Sequence, residues 1–198
     1  MYRKLLYILF CVLAFVAGYM SADREIDANS DALYQGENTM QKDLLLGNLG
    51  MTYEYSNRIL PDFPLADSDG KNIFFSQLMG KENKLVFRIS SNNCSSCIDL
   101  TVECLKSVLG IIPPDRIVVL VEGNGKRALK AFATRLDLGL PLYYMAEKTF
   151  YDYLDRENVP FFFISNSVLR VEDLFIPIKE IPEHAEHYFR AISKKYFL

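Results

Sequence analysis

Two cysteines separated by two residues, Cys94 and Cys97, stand between an apolar run and an amphipathic helix pattern, and no other feature restricts the fold of this chain as tightly. The segment Lys84 to Ser90 (KLVFRIS) reads as a buried strand and runs into SSNNCSSC. The segment that follows, IDLTVECLKSVLG, places apolar residues at 98, 102, 105, 108 and 109, which fits one face of a helix. The pair therefore sits at a helix start, where two thiols one turn apart can close a small disulfide ring or open to a dithiol. Free backbone N–H groups and the helix dipole favour thiolate on the first of them. Cys94 is thus the candidate attacking thiol, and Cys97 would resolve the mixed disulfide. A C-x-x-C is equally half of a zinc site. Here, however, no second cysteine pair is present, and the two histidines, His184 and His187, lie far along on the last helix, where they read as an exposed pair.

The N-terminus addresses the compartment. Arg3 and Lys4 precede Leu5 to Met20 (LLYILFCVLAFVAGYM), a run without charge before Asp23. Its length falls between a signal-peptide core and the roughly 20 residues that span a bilayer comfortably. Cys11 is preceded by Phe10 inside the apolar run, not by a small residue, and a clean small-x-small cleavage site is missing around Met20 to Ala22. We therefore expect an uncleaved single-pass anchor at 1–22, with Cys11 as an apolar filler in lipid. Positive charge retained on the cytoplasmic side then places everything after Asp23 on the extracytoplasmic, periplasmic side.

The stretch 23–50 is polar and charged apart from LLLGNL and reads as a spacer with some helix. A domain at 51–198 follows. It is expected to open with a strand at Met51 to Tyr55, then a hairpin built from LPDFPLADSDGKNIFF, with its turn at Asp-Ser-Asp-Gly and its second strand at Asn72 to Phe75. After KLVFRIS and the cysteine helix come the apolar strand IVVLVE, a helix from about Lys126 to Leu136, and a short strand in PLYYM. A helical turn at Thr149 to Arg156, a strong strand in VPFFFIS, a strand in LRVEDLFIP and a closing helix from about Pro182 to Tyr196 complete the order. Strands and helices alternate and then end β-β-α, the order of an α/β fold around a central mixed sheet flanked by helices. With half of the 198 residues apolar, the chain can bury a sizeable core. The 22 basic and 25 acidic residues are mixed along it without a basic stripe, so nucleic acid is not expected as a partner. No cofactor is expected either.

The sequence LPDFPLADSDGK, a buried strand, C-x-x-C, further βα steps and Val159-Pro160 entering a strand together resemble the thioredoxin superfamily. Within it, they are most similar to the membrane-anchored extracytoplasmic branch related to cytochrome-maturation proteins and alkyl-hydroperoxide-reductase-type redoxins. The resemblance covers about residues 51–198. It implies a thioredoxin-like fold with an N-terminal β-hairpin extension, and exchange of thiols and disulfides with exported proteins, drawing on an unidentified electron donor or acceptor. It also implies that Val159 and Pro160 shape the substrate groove, with Pro160 in the cis form.

Departures from the pattern matter as well. The family's Trp before the pair and its Pro within it are replaced by Asn93 and by Ser95 and Ser96, and the chain has no Trp at all. Two serines can donate toward the thiolate and make the couple more oxidising. Arg88 falls where many relatives carry a buried acid or amide. It either stabilises the thiolate by charge or points outward to pair with a surface acid. Cys104, seven residues after Cys97, reads as a small core residue, and Phe161-Phe162-Phe163, Tyr143-Tyr144 and Phe74-Phe75 as core and sheet edge. A non-enzymatic binding module with a structural Cys94–Cys97 bridge is the alternative to exchange. A thiol peroxidase is the lesser one, because Ser91 precedes Cys94 by three residues as in peroxidase sites, whereas Phe87 replaces their proline.

Overall fold

A computed structural model describes residues 39–90, 92–122, 126–145 and 159–198. The expected anchor at 1–22, with Cys11, lies outside them, as does the helical turn expected at Thr149 to Arg156. Among the described residues, no helix is long and apolar enough to cross a membrane.

Helix α1 occupies residues 39–55, and the chain divides inside it into two compact units, 1–45 and 46–198. Only the helical residues 39–45 of the first are described. The strand expected at Met51 to Tyr55 is therefore the end of a helix. Alternation would put Tyr53 and Tyr55 on one face, yet Tyr53 is 88% exposed and Tyr55 3%. The inward positions follow helical spacing instead: Asn48 Nδ2 donates to the Ile176 carbonyl, Thr52 Oγ1 donates to the Leu174 carbonyl at 3.2 Å, and Tyr55 is buried.

Beyond α1 the chain forms β1 (Pro64–Ala66), β2 (Asn72–Phe74), α2 (Phe75–Met79), β3 (Lys84–Ser90) and α3 (Ser95–Val108). A 3-10 turn at Pro114–Arg116 leads into β4 (Ile117–Glu122), α4 (Lys126–Leu136), β5 (Leu142–Met145), β6 (Phe161–Ser165), β7 (Glu172–Phe175) and α5 (Pro182–Tyr196). The expected hairpin is β1–β2, with Pro64 opposite Phe74. Its turn is closed by Asp67, whose Oδ1 accepts from the amides of Asp69 and Lys71 at 2.9 Å, while Gly70 takes a φ of 85° that suits glycine. These bonds, led by that from Lys71, hold the Asp67 carboxyl below its ordinary range.

The sheet has the order β2-β1-β5-β4-β3-β6-β7. β4 is central and parallel to both β3 and β5, and β3 beside it is antiparallel to β6. A parallel β3-α3-β4 crossover followed by an antiparallel β6-β7 pair and a last helix is the thioredoxin-like arrangement. Both central strands are buried nearly along their full length, because layers cover both faces. On one face, Leu85, Phe87 and Ile89 of β3 pack with Ile98, Val102 and Leu105 of α3, Leu129 and Phe132 of α4, and Phe189 and Ile192 of α5. On the other, Val86, Val118 and Leu120 pack with Tyr55, Phe63, Phe75, Phe161 and Phe163. The expected aromatic core is present: Phe87 stacks on Phe162 at 4.8 Å, and Phe189 meets Phe162 edge-on at 4.9 Å. Phe74 is the exception at the sheet edge, 49% exposed.

Candidate redox site

β3 ends in a tight turn that aims the cysteines at the start of α3. Ser90 N–H donates to Asn93 Oδ1 at 2.7 Å, and Asn93 N–H returns a bond to the Ser90 carbonyl at 3.1 Å. Asn92 N–H is bonded to Ser90 Oγ at 3.2 Å. Asn93, only 7% exposed, thus does by hydrogen bonding what a bulkier residue would do by packing: it fixes the exit from the strand.

Cys94 is the N-cap of α3 and is exposed, whereas Cys97, in the first turn, is half-buried. The two are joined in a disulfide with their Cα atoms 5.3 Å apart. Cys97 N–H points at Cys94 Sγ from 3.1 Å, and Ser96 Oγ lies 3.6 Å from the same sulfur. The first turn of a helix offers amides without intrahelical acceptors and the positive end of the dipole, so a negative charge on Cys94 is favoured once the bridge is opened. Of the two serines expected near the sulfur, Ser96 contacts it through its hydroxyl. Ser95 enters through its carbonyl, which accepts from Arg135.

Val159 and Pro160 belong to the same end of the sheet. They lead directly into β6, whose first residue, Phe161, lies opposite Arg88 of β3. Pro160 is buried and Val159 half-buried. The described residues contain no cis peptide bond, so the cis form expected of Pro160 is not found. The trans form is the intrinsically favoured one, by about 0.5–1 kcal/mol for an X-Pro bond.

Arg88 corrects another expectation. It does not point outward to a surface acid: it is 1% exposed and forms an ion pair with Glu122, itself 5% exposed. Its guanidinium also lies over the Phe161 ring, 5.4 Å from the centroid. By strand alternation, Arg88 and Glu122 face away from the layer that contains α3, so the cation has its counter-charge beneath the sheet. The hydroxyl of interest for peroxidase chemistry, Ser91, lies outside the described residues, and Phe87 is sealed in the core.

Cys104 is half-buried against the core under α3, and burial pushes its thiol above the ordinary range, as expected of a packing residue. The histidine pair is less symmetric than expected. His187 is exposed, but His184 is half-buried and meets the Phe175 ring edge-on at 4.9 Å. Among the described residues, no cluster of three metal-ligating side chains forms.

The residues that sequence reading missed are Glu122, Asp99 and Arg135. Glu122 carried a usable signal, an acid ending an otherwise apolar strand. Arg135 carried none, because its contact with the cysteine turn spans forty positions of sequence.

No protein-family model matches the chain, and no curated protein matches it. Solved structures do. Peroxidoxin BcpB from Mycobacterium tuberculosis is 14% identical with a TM-score of 0.49, the match covering 70% of this chain and 97% of that one. The thioredoxin domain of a thiol-disulfide oxidoreductase from Bacteroides vulgatus is 14% identical with a TM-score of 0.46, over 68% and 97%. A thiol:disulfide interchange protein from Bacteroides sp. is 11% identical with a TM-score of 0.45, over 68% and 90%. At such values the likeness carries no argument about chemistry, which rests on the strand order and the cysteine turn alone.

Proposed function

We propose that this chain is a thiol-disulfide oxidoreductase, anchored in the membrane by Leu5 to Met20, whose domain exchanges disulfides with exported proteins on the extracytoplasmic side. The observation that carries the reading is the asymmetry of the pair: an exposed Cys94 at the N-cap of α3, bridged to a half-buried Cys97. In the reducing direction, the Cys94 thiolate attacks a substrate disulfide, forming a mixed disulfide and releasing one substrate thiolate. Cys97 then attacks Cys94 Sγ, closing the Cys94–Cys97 bridge and releasing the second substrate thiol. The substrate gains two electrons and the pair loses two, so an external dithiol must reopen the bridge. The same steps reversed oxidise a substrate dithiol. The position of Val159 and Pro160 at the entry to β6, which pairs with the strand that leads to the cysteines, supports their role in lining the groove where a substrate chain docks.

The anchor and the compartment rest on the basic flank and apolar run of the N-terminus. A second reading, a binding module with a structural bridge, is favoured by the burial of Arg88 in an ion pair where a proton-moving group would otherwise stand. Insulin reduction by the full chain, with dithiothreitol as electron donor, separates the two. Turnover that is lost in Cys94→Ser supports exchange. No turnover in the wild type, with a bridge that resists mild reductant, supports the module.

A further inference from the structure

The first turn of α3 is gripped from a different helix. Arg135, in the last turn of α4, donates from Nη2 to the Ser95 carbonyl oxygen at 3.0 Å and to Asp99 Oδ1 at 2.6 Å. Its side chain is 38% exposed and that of Asp99 62%. Ser95 is the residue directly after Cys94. In an α-helix its carbonyl accepts from the amide four positions on, so Arg135 occupies the second lone pair. That carbonyl and the Ser96 N–H belong to one peptide unit. Drawing electron density toward the guanidinium strengthens this N–H as a donor, and Ser96 N–H is one of the first-turn amides without an intrahelical acceptor. The next amide in the turn, Cys97 N–H, already points at Cys94 Sγ.

We propose that Arg135 is a positioning residue that sets the acidity and redox poise of Cys94, with Asp99 as its counterweight. Arg135 stabilises the thiolate in two ways: by its charge beside the cysteine turn, and through the peptide it polarises. Asp99, two positions beyond Cys97, offsets part of that charge. Because a stabilised thiolate favours the reduced pair, Arg135 makes the couple more oxidising and Asp99 less so. This rests on the reading of Cys94 and Cys97 as an exchanging pair.

The test uses the full chain, reduced and desalted, with the rate of iodoacetamide labelling at Cys94 followed against pH by peptide mass spectrometry. Arg135→Gln is expected to raise the Cys94 midpoint by about half a pH unit, and Arg135→Lys to restore part of it. Asp99→Asn is expected to lower it. In glutathione buffers above the thiol midpoint, Arg135→Gln should shift the equilibrium about threefold toward the disulfide. A merely structural clamp would be loosened by either single substitution, so both would move the midpoint the same way. That result, or no movement in either, overturns the proposal while the pair still equilibrates with glutathione. If the wild-type pair fails to equilibrate with glutathione at all, the exchange reading itself falls and takes this inference with it.

Discussion

Arg88 on β3 and Glu122 on β4 form an ion pair sealed on the face of the sheet turned away from the cysteine helix. Burying two charges is costly, and the pair repays that cost only while both members are present. Replacing one partner strands the other charge in the core, so Glu122→Gln or Arg88→Met is expected to lose about 3–5 kcal/mol of stability. The double replacement Arg88→Met, Glu122→Leu should recover most of the loss, because it removes both charges and keeps apolar volume. Urea unfolding of the two single variants and the double variant measures this. A double variant no more stable than the singles would show that the pair is not the unit that matters.

Cys104 and Cys94 share a helix but not an environment. Burial, aided by the nearby Glu103 charge, raises the Cys104 thiol, whereas Cys94 is exposed at the positive end of α3. In the reduced full chain near pH 7, iodoacetamide should therefore label Cys94 at least about tenfold faster than Cys104. Comparable rates, read by peptide mass spectrometry, would contradict the packing role given to Cys104.

His184 links acid stability to the closing helix. Burial against Phe175, and then the neighbouring His187, lower its pKa from the ordinary 6.5. Its Nδ1 is buried without a hydrogen-bond partner among the described residues, so an added proton there would be unsatisfied. The unfolded chain takes up this proton more readily than the folded one. The contribution is accordingly present above pH 6.5 and is lost as pH falls through the depressed folded value. The drop in melting temperature between pH 7.5 and pH 5.5 should be smaller for His184→Gln than for the wild type. Equal drops would mean that His184 titrates as a solvated imidazole.

Much of this fold is written in local patterns. KLVFRIS and IVVLVE are mostly apolar because β3 and β4 are covered on both faces, and that density of apolar residues is visible in the sequence without knowledge of the neighbouring strands. The cysteine helix was equally legible, since its buried residues keep a helical period. The segment Met51 to Tyr55 misled because aromatic residues favour strands, while the contacts that fix it as helix, Asn48 to Ile176 and Thr52 to Leu174, reach more than a hundred positions along the chain. Arg88 misled for a related reason: its partner Glu122 is supplied by register between strands, which one strand's sequence does not encode. At the site, Cys94 and Cys97 announced themselves by spacing. Asn93 stands out in the sequence only as a departure from a family pattern, although its hydrogen bonds with Ser90 build the turn that presents both cysteines.

Exchange through this pair requires Cys94 to attack first and Cys97 to release it, and a resolving-cysteine variant tests that order directly. Full-chain Cys97→Ala, reduced and then given glutathione disulfide, should accumulate a stable glutathione adduct at Cys94 in peptide mapping, while the wild type passes through the adduct to its internal bridge. A Cys97→Ala protein that stays unmodified at Cys94 under the same treatment would contradict the assignment.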